Sequence, residues 1–203
     1  MSPKILVTTA HRTNPRVRSL AKELALSLPD AIKMNRGKMN YADLFEYAKS
    51  LGITRVIVVC RGLRGNPGRI IFLDTTAKEL CFYPLILKLR GVKLAREMGV
   101  RPSPPRRAAV VAPGEVDAVE FGQELSGALN LTFVEEVEAR ELAGTYDSVL
   151  LIEPVRSPRA SFAVKFVDPS TLAPRGPRLL VEKYYLRRPE YPEYDAVRGV
   201  HQG

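Results

Sequence analysis

The chain has 203 residues, 45% of them hydrophobic, and a formal net charge of +9. That is enough for one large domain or two small ones with a real core. No apolar run is long enough to span a bilayer and no signal peptide is visible, so the expectation is a cytoplasmic protein without membrane contact. Cys60 and Cys81 lack metal-ligand spacing and read as buried small hydrophobes in a reducing compartment.

The charge is uneven. Residues 1–100 hold 18 Lys/Arg against 7 Asp/Glu, whereas residues 101–203 hold 13 against 15. Residues 112–153 carry ten acids and only Arg140. A basic first half suits an anionic partner. The acidic segment would repel a phosphate backbone, so it is either a solvated face or a docking surface for a basic protein.

In chain order, Ile5-Leu6-Val7 is a short apolar run that suits a buried strand. Asn14-Pro15 is a helix start: a short polar cap, then a residue whose missing N–H costs nothing at the first helical position. Val17, Leu20, Ala21, Leu24, Ala25 and Leu28 recur at helical spacing and make the core stripe, and Pro29 stops the helix. Arg16, Arg18 and Lys22 fall off that stripe. Ala31–Met34 is a second strand, followed by a basic turn, Asn35-Arg36-Gly37-Lys38. Asn40 and Asp43 open a second helix with Tyr41, Leu44, Phe45, Ala48 and Leu51 inward, ended by Gly52. Arg55–Cys60 is a third strand. Strands alternating with two helices predict a mostly parallel sheet with right-handed crossovers.

Residues 61–69, RGLRGNPGR, carry three glycines, a proline and three arginines. No Gly-Lys-Ser/Thr follows, and the next element is a strand, so this is neither a P-loop nor a Rossmann turn. It reads as a hairpin loop before the strand Ile70–Asp74, with arginines available to an anionic ligand. Phe82–Leu89 is a further apolar run, and Val92–Met98 reads as a short helix closed by Gly99. Residues 101–107, RPSPPRR, read as a linker, either a stiff connector or a contributor to the basic face.

The rest repeats the first half in pattern. Strands are expected at Ala108–Val111, Leu131–Val134, Ser148–Glu153, Phe162–Asp168 and Leu179–Tyr185. A helix is expected over Glu115–Leu129 with Val116, Val119, Leu125, Ala128 and Leu129 inward, and a helical turn at Glu138–Ala143. Arg156 and Arg159 fall in the loop equivalent to 61–69. Two similar α/β halves packed about a pseudo-twofold follow from this pattern. The segment after Tyr185 is polar, with Tyr184, Tyr185, Tyr191 and Tyr194 available either for packing or for base stacking.

No catalytic constellation is visible. His11 and His201 lie at opposite ends of the chain with no nucleophile pattern nearby, and Asp74 and Asp168 read as turn-starting residues.

The stretch ILVTTAHRTNPRVRSLAKELALSLPDAIKMNRGK resembles the opening of Brix-domain proteins. These begin with a strand ending in Thr, an arginine-bearing turn, R-x-R-S on the first helix, an L-P break and an N-R-G turn. Here those are Thr8, Thr9, Arg12, Arg16, Arg18, Ser19, Leu28, Pro29, Asn35, Arg36 and Gly37. The loop Gly65-Asn66-Pro67-Gly68-Arg69 also resembles the family's. The likeness covers about residues 4–75, and the short length is similar to the archaeal members, related to the Brix protein of the eukaryotic small-subunit processome.

The resemblance implies an α/β fold of two halves, each similar to the anticodon-binding domain of class IIa aminoacyl-tRNA synthetases. It also implies a non-enzymatic, cofactor-free role in pre-rRNA processing and small-subunit assembly through RNA binding. The expected divisions are a basic half at 1–100, a connector at 101–107, an acidic half at 108–185 and a polar tail at 186–203. The candidate RNA contacts are Arg12, Arg16, Arg18, Arg36, Lys38, Arg61, Arg64 and Arg69. The expected partners are an rRNA precursor or guide RNA and other assembly proteins, bound by a monomer. Two alternatives stay open: a protein-interaction module docking a basic partner through the acidic half, and a tRNA-binding domain.

Overall fold

The computed structural model describes residues 4–112, 114–135 and 137–189. Its first helix starts where a polar side chain can satisfy an orphan amide. The Val17 N–H donates to Asn14 Oδ1 at 3.0 Å, and Pro15 opens helix α1 (Pro15–Ser27). Helix α2 (Tyr41–Ser50) begins with a reciprocal cap: the Asp43 N–H donates to Asn40 Oδ1 at 2.9 Å, and the Asn40 N–H to Asp43 Oδ2 at 3.0 Å. The inward stripe of α1 is buried along its length. Leu51 is an exception to the expected α2 stripe. It lies just past the helix and is 42% exposed, because the chain turns away there to reach Gly52 at φ +69°.

The strands are β1 (Ile5–Thr9), β2 (Ala31–Lys33), β3 (Arg55–Arg61), β4 (Pro67–Asp74), β5 (Phe82–Lys93), β6 (Ala108–Ala112), β7 (Thr132–Glu135), β8 (Ser148–Ser157), β9 (Ala160–Val167) and β10 (Pro174–Tyr185). Helix α3 (Val116–Leu129) lies between β6 and β7. All ten strands form one sheet, ordered β2-β1-β3-β4-β5-β10-β9-β8-β6-β7. The expectation of a mostly parallel sheet is corrected. Four neighbouring pairs are parallel and five are antiparallel. Parallel pairs occur only where a helical crossover separates the strands, while the hairpins from β3 onward, and from β8 onward, run antiparallel. The fold is therefore α/β with a large mixed sheet and, among the described residues, three α-helices.

Strand direction decides where the loops go. β1, β2 and β3 run together, and the antiparallel steps through β4, β5, β10 and β9 leave β8, β6 and β7 running the opposite way. The carboxyl ends of β1–β3 and of β6–β8 thus sit at opposite ends of the sheet.

One face carries both α1 and α3 over a shared core that includes Leu24, Phe72, Leu87, Phe121, Phe166 and Val181. The other face carries α2, whose Tyr41, Leu44 and Phe45 cover Val56, Val58, Ile71 and Ile86. A smaller cluster around Ala109, Val111 and Val149 covers that face under Ala139 and Leu142. On the shared side Phe121 stacks on Phe162 and on Tyr184, each at 4.9 Å between ring centroids. Each such pair contributes about 0.5–1.5 kcal/mol beyond burial. Tyr184 is thus a core ring.

Three further details differ from the expectation. Val92 and Lys93 extend β5, and only a single 3₁₀ turn, Ala95–Met98, follows before Gly99 at φ +72°. Val116, expected inward, is 80% exposed, because it stands in the first turn of α3 beyond the edge of the core. Tyr191, Tyr194 and His201 lie outside the described residues.

Candidate nucleic-acid interface

Because β1, β2 and β3 are parallel, the turns leaving them meet at one end of the sheet. The Ala10 N–H donates to Val59 O at 3.0 Å, the Met34 N–H to Val7 O at 3.0 Å, and Thr8 Oγ1 to Met34 O at 2.9 Å. Asn14 ties the third turn to the first: its Oδ1 caps α1 while its Nδ2 donates to Gly65 O at 2.5 Å. Residues 10–14, 34–40 and 61–69 therefore form one surface at the carboxyl ends of parallel strands, the common location of ligand sites in α/β sheets.

The 61–69 loop folds tightly. The Gly62 N–H donates to Asn66 O at 2.7 Å, and the two limbs touch at Gly62 and Gly68. A Cβ on Gly68 would lie 2.4 Å from Gly62 Cα, and one on Gly62 would lie 2.6 Å from Gly68 Cα. Two glycines facing each other are what let the limbs close. The closure carries the loop outward and leaves Leu63 at its tip, 91% exposed, beside Arg64 in the left-handed region at φ +52°.

The eight candidate cations divide. Arg12, Arg18, Lys38, Arg61, Arg64 and Arg69 are exposed and make no ion pair among the described residues. Arg36 is only 4% exposed. Its Nε donates to Met39 O at 2.6 Å and its guanidinium lies 4.1 Å from the centre of the Tyr41 ring. That guanidinium shapes the Asn35–Lys38 turn from inside.

Arg16 is held on two sides. Nη1 meets Glu97 Oε1 at 2.5 Å, and Nη2 donates to Glu97 Oε2 at 3.1 Å and to Val92 O at 2.9 Å. The fork clamps the turn after β5 onto α1, helped by the buried Glu23, whose Oε2 accepts the Ala95 N–H at 2.7 Å. The hydrogen bonds from Arg16 hold the Glu97 carboxyl below its ordinary range, with the Leu94 N–H adding to the effect.

A broad groove of about 970 Å³ opens beside the glycine-rich loop. Arg61, Arg64 and Arg69 line one side and Lys88 and Arg90 of β5 the other, with a single carboxylate, Glu182, bound to Lys88 at 2.5 Å. At its floor, burial pushes the Cys60 thiol up to about 11, against the pull of Arg69 and Arg36. A thiol at that value stays protonated at neutral pH, which suits packing and not nucleophilic chemistry.

Elsewhere Asp74 and Asp168 are occupied in turns. Asp74 Oδ1 accepts from Thr76 N–H and Oγ1 at 3.1 and 2.6 Å, and Asp168 Oδ1 accepts from Ser170 and Thr171 N–H at 2.9 and 3.2 Å. No helix among the described residues is long and apolar enough to cross a membrane.

No family model matches the chain. Among known proteins, the probable Brix domain-containing ribosomal biogenesis protein of Aeropyrum pernix is 30% identical over 147 residues, spanning 71% of this chain and 79% of that one. The chain belongs to the Brix-domain ribosomal biogenesis proteins. The Pyrobaculum aerophilum member is 28% identical over 186 residues, 91% of this chain and 96% of its own. The Pyrococcus abyssi member is 29% identical over 206 residues, 97% of this chain and 91% of its own. The crystal structure of a probable ribosomal biogenesis protein from Aeropyrum pernix K1 superposes with a TM-score of 0.68 at 28% identity, covering 89% of this chain and 96% of that one.

In this Brix-domain chain, sequence reasoning missed Lys88 and Arg90, because their side of the groove comes from a strand read only as an apolar run. The alternation Ile86-Leu87-Lys88-Leu89-Arg90 carried the signal: two cations in phase, opposite a buried pair. It also missed Leu63, an apolar residue placed between glycine and arginine.

Proposed function

We propose that this Brix-domain protein is a non-catalytic RNA-binding assembly factor in pre-rRNA processing and small-subunit assembly, holding unpaired rRNA or guide-RNA segments while pairing is established. The observation that carries the reading is the set of six exposed cations, without ion pairs among the described residues, at the carboxyl ends of β1–β3, continuous with a groove that adds Lys88 and Arg90. Arg12, Arg18, Lys38, Arg61, Arg64 and Arg69 contact phosphates and sugars. Arg36 and Arg16 act one step back, fixing the turn and the helix that present them. Leu63 inserts between or beside unstacked bases, as apolar wedges do at nucleic-acid contacts.

The order from each sheet edge inward, β2-β1-β3-β4-β5 and β7-β6-β8-β9-β10, supports two similar halves about a pseudo-twofold, each like a synthetase anticodon-binding domain. It supports the divisions at 1–100, 101–107 and 108–185 in the same way. The acidic end lies away from the groove, so a basic assembly protein is free to dock there while RNA is bound.

Binding to pre-rRNA fragments as a function of salt, with tRNA as a control, tests the reading. Six phosphate contacts on looped or single-stranded RNA give a slope of log K against log salt of about −4. Affinity selective for rRNA with that slope supports it. Equal affinity for tRNA would favour the tRNA-binding alternative, and no binding at all would move specificity to a protein partner at the acidic end.

A further inference from the structure

Among the described residues no helix covers the centre of the α2 face of the sheet, and the strand registers line up cations there. Arg69 pairs directly with Lys88 across β4–β5, and Lys88 with Lys183 across β5–β10. Further along, Lys93 pairs with Arg178 across β5–β10, and Arg178 with Lys165 across β10–β9. Residues in direct register share a face and sit about 5 Å apart.

The face is fixed by the neighbours. Leu87 and Leu89, Val164 and Phe166, and Leu179 all lie in the core under α1 and α3, so Lys88, Lys165 and Arg178 project the other way. Lys88, Arg90, Lys93, Arg178 and Lys183 are all exposed.

Like charges placed directly opposite each other weaken a sheet. Two of these cations are relieved locally, Lys88 by Glu182 and Lys165 by Glu153. Arg69, Arg90, Lys93, Arg178 and Lys183 make no ion pair among the described residues. The rows are also continuous with the groove already described, which shares Arg69, Lys88 and Arg90.

We propose that single-stranded RNA leaving the groove crosses the β5–β10 junction on this open face, its phosphates held by Arg90, Lys93, Arg178 and Lys183, and so reaches the second half of the molecule. This rests on the RNA-binding reading and gives it a direction. The strand runs across the β-strands, away from the loop at 61–69 and toward β9. The acidic carboxyl ends of β6–β8 lie at the other end of the sheet and do not obstruct the path.

The test compares fluorescent oligouridines of about six and about 24 nucleotides, short enough to fill only the groove and long enough to cross the face. The variant Lys93→Ala with Arg178→Ala keeps wild-type affinity for the short oligomer. For the long one it lowers the salt slope by about 1.4, about 0.7 for each phosphate no longer neutralised. Lys93→Arg with Arg178→Lys restores the slope. Lys183→Ala, outside the groove lining, lowers the slope by about 0.7 for the long oligomer alone and serves as the second variant. An unchanged slope for the long oligomer, or equal reductions at both lengths, overturns the path while leaving the groove intact. A wild type that binds neither length overturns the RNA-binding reading itself.

Discussion

The two ends of the sheet are built alike and charged oppositely. At one, the carboxyl ends of β1, β2 and β3 open into turns bearing Arg12, Lys38, Arg61, Arg64 and Arg69. At the other, β6 and β7 lead into segments bearing Glu115, Glu135 and Glu138 with the lone Arg140, and the β8–β9 hairpin carries Arg156 and Arg159. The supporting physics is the same: parallel strands, a helix between the first two, and a hairpin after the third. The lesson is that the scaffold brings three turns together whatever they carry, and the turn residues alone decide what the surface attracts.

Exchanging the charges should break that contrast most strongly. Arg61→Glu with Arg64→Glu and Arg69→Glu removes three cations from the groove. RNA affinity is expected to fall by a hundredfold or more, with the salt slope reduced by about 2. Glu135→Lys with Glu138→Lys at the far end is expected to leave RNA affinity within about threefold while abolishing capture of a basic assembly protein, since the two sites lie at opposite ends of the sheet and salt screens distant exposed charges. Both are read by filter binding over a salt series. Equal effects at the two ends would dissolve the distinction.

A smaller effect separates two arginines on one helix. Arg16→Ala gives up the fork to Glu97 and the bond to Val92 O, and is expected to cost about 1 kcal/mol, the upper part of the range for a partly exposed pair with bidentate geometry. That lowers the melting temperature by about 2–4 °C for a chain of this size. Arg18→Ala is expected to leave melting unchanged and to weaken RNA binding a fewfold. Identical behaviour of the two variants in calorimetry would refute the division.

The smallest effect is a pH dependence. The Glu97 carboxyl is held below its ordinary value of 4.5, chiefly by Arg16. A depressed carboxylate stabilises the fold above its unfolded value, and that contribution fades as pH falls through the folded one. Urea midpoints measured between pH 6 and about pH 3 should therefore drop less in Glu97→Gln than in the wild type. Parallel curves would show that the pair contributes nothing.

Much of this was legible in the first half of the sequence. Asn14-Pro15 and the Asn40/Asp43 pair mark helix starts through chemistry confined to three or four residues, and both caps form. Strands separated by helices predict parallel neighbours, and β1, β2 and β3 are parallel, which brings the turns after them together. What sequence reasoning missed depends on partners far along the chain. Glu97 lies 81 residues from Arg16, and neither segment announces the other. Arg36 read as a surface cation because its burial rests on the ring of Tyr41 across a turn. The continuity of all these strands in one sheet was hidden because β10 pairs with β5 and β9 and has no local signal for either.

That join has a consequence for the order of synthesis. β10 fills the middle of the sheet but is, among the described residues, the last strand to be made. Until Pro174–Tyr185 has emerged, β5 and β9 each present an unpaired edge, twelve and eight residues long respectively. Open edges of that kind template pairing with other chains. A nascent chain halted before residue 174 therefore carries two sticky borders, and the arrival of one strand closes both in a single zipping step.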